Sequence, residues 1–158
     1  MKKQIIITNN MEKKKTEIDL NDDAHKMLNN ISTINKLFLN ESFEYNDLIK
    51  KNLMTKKSSY RSQDIKKNRL TEEFITYEEL VEKLVISKLQ CSYCKDTVLL
   101  VYENKRDNKQ WTLDRINNDI GHSSKNTVIS CLKCNLQKRK RDDEKFRFTK
   151  QMNLIKIY

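Results

Sequence analysis

Two Cys-x-x-Cys pairs, Cys91/Cys94 and Cys131/Cys134, constrain this chain more than any other feature. Two residues between paired cysteines set both sulfurs at the spacing that tetrahedral zinc accepts, and two such knuckles complete a four-thiolate site. The segment 95–130 between them exceeds the usual zinc-ribbon gap, so it must carry structure of its own. Four sulfurs close the coordination sphere and leave no position for substrate, which makes this zinc a staple for the fold. The alternative, four independent buried or redox cysteines, is disfavoured because chance rarely yields two such pairs around one compact segment.

A staple is needed. Of 158 residues, 37% are hydrophobic and 34% charged. That allows one domain, or one compact module with an N-terminal extension, around a small core. No apolar run approaches the roughly 20 residues that span a bilayer, and the run in Met1–Ile7 is too short for a signal peptide. We therefore expect an intracellular protein without a membrane partner, in a reducing compartment where such cysteines bind metal. The formal charge of +10 favours a polyanionic partner, nucleic acid first.

Residues 1–57 read as an N-terminal extension, helical or partly disordered. Ala24, Met27, Leu28 and Ile31 fit one helical face, as do Ile34, Leu37 and Phe38, with Asn21-Asp22-Asp23 as a cap. Residues 58–70 are polar and basic and read as a linker or a phosphate-contacting arm. Thr76-Tyr77-Glu78-Glu79 matches a capping box, with Leu80, Val81, Leu84 and Val85 following at helical spacing and Glu82 and Lys83 facing away. Val98–Tyr102 and Trp111–Leu113, around a polar turn, predict a hairpin that delivers Asp114 at a strand end. Thr127–Ser130 is β-branched and apolar. After Cys134 a basic helix is predicted to run towards Lys150, bringing Phe146 and Phe148 near the core, before a tail at 151–158.

Leu113-Asp114-Arg115-Ile116-Asn117-Asn118, Gly121-His122, Asn126 and Cys131-x-x-Cys134-Asn135 together resemble the HNH endonucleases. The resemblance covers residues 71–150 and is nearest the variant of phages and large DNA viruses; Tyr60-Arg61-Ser62-Gln63-Asp64 also resembles a segment preceding that module in such viral proteins. It implies an α+β fold, a small zinc-stapled ββα-metal module behind a mainly helical extension, and a host cytoplasmic or nuclear setting if the source is viral. It further implies that Asp114 and Asn135 hold one catalytic Mg²⁺ or Mn²⁺, oxygen donors of the kind these ions take. Asn126 would buttress the active-site loop by hydrogen bonds.

The family's usual general-base His follows the metal-binding Asp, where this chain has Arg115. A guanidinium cannot accept a proton near neutrality, but its planar fork suits the scissile phosphate. His122 is the available substitute as base; a metal-ligand, phosphate-contact or structural role is also open to it. Lys138, Arg139, Lys140 and Arg141 would carry positive charge to flanking phosphates. Trp111 reads as a core residue and Asp119 as a turn residue. The expected function is metal-dependent hydrolysis of phosphodiester bonds in nucleic acid, double-stranded DNA foremost, by a chain that could act as a homodimer. The alternative is a catalytically silent zinc module that binds nucleic acid without cutting. A protein-binding zinc finger of the ubiquitin-transfer type fits the cysteines but neither the charge nor the Asp114, Asn126 and Asn135 triad.

Overall fold

The computed structural model describes residues 20–152. Residues 1–19 of the expected extension and 153–158 of the expected tail lie outside the described residues. The fold is α+β: helices surround a two-stranded antiparallel sheet. No helix among the described residues is long and apolar enough to cross a membrane.

Among the described residues three helices come first: α1 (Asp22–Leu28), α2 (Ile31–Phe38) and α3 (Asn46–Lys66). Asn21 and Asn30 cap α1 and α2 by accepting from Ala24 N and Ser32 N, so the apolar run splits at Asn29-Asn30. Leu28, Ile34 and Leu37 enter the core, whereas Met27, Ile31 and Phe38 stay exposed. The basic segment expected as a linker is helical up to Lys66, because α3 carries a buried stripe of Ile49, Leu53, Tyr60 and Asp64 at helical spacing. A positive φ at Asn68 then turns the chain.

The capping box forms as its spacing predicts: Glu79 N donates to Thr76 Oγ1 at 3.1 Å and Thr76 N to Glu79 Oε2 at 2.8 Å, opening α4 (Tyr77–Ile86). Leu80, Val81 and Leu84 are buried. Lys83 turns inward and donates to Thr127 O at 2.9 Å, so its predicted outward direction is corrected.

The predicted hairpin is replaced by another. β1 (Trp111–Arg115) pairs with β2 (Thr127–Cys131), in a register that sets Trp111 opposite Cys131 and Asp114 opposite Val128. Val98–Tyr102 is not a strand in the sheet, although Val98, Leu100 and Val101 are buried. Its backbone groups are partly claimed elsewhere: Asn29 accepts from Val101 N and donates to Val101 O, each at 2.9 Å. Beyond the Trp111–Leu99 bond, the second edge of β1 is covered by α3 side chains. Lys56 Nζ donates to Trp111 O, and Leu113 N donates to the Tyr60 hydroxyl at 3.0 Å. Helical side chains thus satisfy groups that a third strand would otherwise pair.

The last basic segment forms two helices, α5 (Leu132–Lys138) and α6 (Asp143–Gln151). The single helix expected there breaks at Arg139, whose φ is 52°, and restarts at the Asp142 cap. Phe146 packs edge-on against Tyr93 at 5.0 Å, while Phe148 lies exposed, contrary to expectation.

Candidate functional site

The sulfurs of Cys91, Cys94, Cys131 and Cys134 all lie within 4.8 Å of one another, and none is in a disulfide. Zinc–sulfur bonds of about 2.3 Å in a tetrahedron separate sulfurs by about 3.8 Å; Cys94 and Cys131 stand 3.9 Å apart. The thiols also restrain one another's ionisation. The Cys131 thiol and nearby backbone N–H groups pull Cys91 down to about 5, while burial and the Cys91 charge hold Cys94 up at about 12. Four thiolates at this spacing require a neutralising cation. The cluster is compatible with a structural zinc.

The first knuckle also reaches beyond the cluster. Tyr93, between its two cysteines, is buried, and its hydroxyl, with one hydrogen to share between them, lies 2.6 Å from Asp114 Oδ2 and 2.7 Å from Asp143 Oδ1. The second knuckle ends β2 and opens α5, so both sulfur pairs are tied to the strand carrying Asp114.

Alternation along β1 turns Thr112 and Asp114 to the face that meets α5. There Asn135 Nδ2 donates to Thr112 Oγ1 at 3.1 Å. One helical turn on, Lys138 Nζ lies 3.2 Å from Asp114 Oδ2 and donates to Arg115 O. Burial pushes the Asp114 carboxyl above its ordinary range, opposed by the Tyr93 hydroxyl and by Lys138. Lys138 is fully buried. Its expected role as a phosphate contact is therefore corrected: spacing three residues from Asn135 turns it to the strand, where Asp114 and a carbonyl hold it.

The loop between the strands is held by Asn126. Its amide accepts from Asn117 N and donates to Asn117 O and Gly121 O, each at 2.9 Å. Asp119 is exposed in an Asx turn that its N–H makes with Asn117 Oδ1. Gly121 is needed for proximity, since its φ is not positive. A methyl there would run into the Arg69 carbonyl and come within 2.9 Å of Asp64 Oδ2.

That close approach seats His122 against α3. Asp64 Oδ1 is 2.8 Å from His122 Nδ1, Asp64 Oδ2 accepts from His122 N at 2.7 Å, and the Tyr60 ring packs 4.8 Å from the imidazole. Burial lowers the His122 pKa from its ordinary 6.5, with Asp64 opposing and Arg115 adding to the fall. Arg115 reaches to 3.9 Å from Asp64 Oδ1. Asp64 enters the sequence reading only within the Tyr60–Asp64 resemblance, without a role, and the structure places it in the site. Its signal was the helical stripe it shares with Ile49, Leu53 and Tyr60, concealed by the polar composition of 58–70.

Asp114, Arg115, His122 and Asn135 line one cleft of about 720 Å³. Its walls also carry Lys67, Arg69, Arg139 and Lys140. Arg141 is exposed but does not line it. Trp111 is buried in the core. The arrangement can hold an anion against basic groups, offer two oxygen-donor residues to a hard cation, and present an imidazole. No protein-family model, curated protein or solved structure matches this chain.

Proposed function

We propose that this chain is a metal-dependent endonuclease that hydrolyses phosphodiester bonds of nucleic acid, double-stranded DNA foremost, through an HNH-like ββα-metal module stapled by zinc. One observation carries the reading: Asp114, Asn135 and a carboxylate-paired His122 line a single cleft rimmed by Lys67, Arg69, Arg139 and Lys140. The order β1, loop, β2, α5 between and after the knuckles supports it as well.

The donor set fits a hard divalent ion. The contacts made by Asp114 fall on Oδ2 and Asn135 donates through Nδ2, which leaves Oδ1 of each as a ligand atom. Magnesium commonly takes one or two protein oxygens and fills its other positions with water and phosphate. Bound there, Mg²⁺ or Mn²⁺ would supply neutralisation of the charge that builds on phosphate and leaving oxygen. His122 removes the proton from the attacking water as a new P–O bond forms and the bond to the 3′ oxygen breaks; that oxygen takes a proton from solvent. Arg115 pairs with a phosphate oxygen, while Asn126 acts indirectly by fixing the loop.

A second reading rests on Lys138. A buried basic group already sits at Asp114, the carboxylate that would bind the ion, and a module so neutralised could bind nucleic acid without cutting it.

Nicking of supercoiled plasmid with Mg²⁺ or Mn²⁺ separates the two. We expect wild type to nick, and His122→Ala and Asp114→Asn, at matched zinc content, to lose roughly 10²- to 10⁴-fold in rate. Salt-sensitive binding by wild type with no cleavage would establish the silent module instead.

A further inference from the structure

Asp64 is fully buried on α3, outside the cysteine-bounded segment, and turns both carboxylate oxygens to His122, with the Arg115 guanidinium 3.9 Å from Oδ1. Oδ2 accepts from the His122 backbone N–H at 2.7 Å; Oδ1 lies 2.8 Å from His122 Nδ1. An ionised carboxylate only accepts hydrogen bonds, so the ring nitrogen facing it must carry the hydrogen. In a neutral imidazole the other nitrogen, Nε2, then holds the lone pair.

We infer that Asp64 is a positioning residue for the cleft: it fixes the His122 hydrogen on Nδ1 and leaves Nε2 as the basic atom, which makes α3 part of the site. The catalytic consequence rests on the hydrolytic reading above, whereas the tautomer does not.

The double acceptance makes the inference unusually sharp for one substitution. In Asp64→Asn the side chain keeps one oxygen and gains an NH₂. The backbone N–H of His122 can only donate, so the oxygen must face it, and the NH₂ then faces Nδ1. Nδ1 becomes the acceptor and the hydrogen moves to Nε2. The variant thus preserves shape while producing the tautomer that cannot take a proton from water.

The test is nitrogen NMR of the full, zinc-loaded chain with ¹⁵N-labelled histidine, at a pH where the ring is neutral, with His25 told apart by His25→Gln. Wild-type His122 should show a protonated Nδ1 and a bare Nε2. Asp64→Asn should reverse the two and lower kcat for plasmid cleavage by roughly 10²-fold or more with little change in KM. Hydrogen on Nε2 in the wild type overturns the inference, and that spectrum decides it even if the variant fails to fold. An unchanged tautomer in a folded Asp64→Asn overturns it equally. A wild type with the Nδ1 tautomer that cuts no plasmid removes the nuclease reading and upholds the assignment of Asp64.

Discussion

The cysteine cluster and the cleft around His122 are two polar sites in one small fold, built on opposite principles. Each knuckle is local, its two cysteines separated by only two residues, so half of the cluster is set by a single turn of chain. The cleft pairs His122 with a carboxylate 58 positions upstream. One site asks the tertiary fold only to bring two prepared halves together. The other exists only once α3, β1 and the Gly121 loop are packed, which makes the cleft the more vulnerable of the two to small displacements.

The largest expected effect tests whether they are separable in one direction. Chelation, or Cys131→Ser, should abolish cooperative unfolding and collapse the cleft as well, because Tyr93 and β2 join the cluster to Asp114. Structural zinc contributes roughly 10–16 kcal/mol in small finger peptides near pH 7, as much as the roughly 5–15 kcal/mol total stability of a typical domain. Metal analysis should give one zinc per chain, with circular dichroism following its removal. A cleft still able to protect the Asp64–His122 contact after zinc loss would show the regions to be independent.

Gly121→Ala tests the reverse direction. Its methyl meets the Arg69 carbonyl and Asp64, so we expect about 1–3 kcal/mol of destabilisation, from overpacking, in urea unfolding. Cleavage should fall with it while zinc content stays at wild-type level. Zinc loss in this variant would mean that strain in the cleft reaches the cluster.

The smallest effect is a pH dependence confined to the cleft. His122 lies below 6.5 in the folded chain, mainly through burial, so its neutral form survives to lower pH than free imidazole. Cleavage should therefore decline on acidification with a midpoint below 6.5. Stability follows the same sign: the unfolded chain takes up a proton near 6.5 that folded His122 refuses, so this contribution is full above 6.5 and is lost as pH falls through the folded value. His122→Gln should flatten that part of the stability profile. An unchanged profile would show that the ring gains as much from Asp64 as it loses by burial.

What could be read from the sequence was whatever is settled within a few residues. Thr76 and Glu79 announced their capping box because both partners lie in one turn. The two knuckles were legible for the same reason. Val98–Tyr102 has the composition of a strand, but composition cannot say that Asn29 will bind Val101 or that Lys56 and Tyr60 will cover the edge of β1. Lys138 looked like its neighbours Arg139 and Lys140 until the register of α5 turned it, and not them, towards Asp114.

By itself, then, the sequence determined a four-cysteine cluster, an α+β composition of elements and the residues Asp114, His122, Asn126 and Asn135 as site candidates. The tertiary structure decided which strand pairs with which, that Lys138 is internal, and that Asp64 belongs to His122. The division has a physical cause. Short-range chemistry is fixed by spacing along the chain, whereas a buried polar group is tolerable only where a partner meets it, and that partner can come from anywhere in the chain.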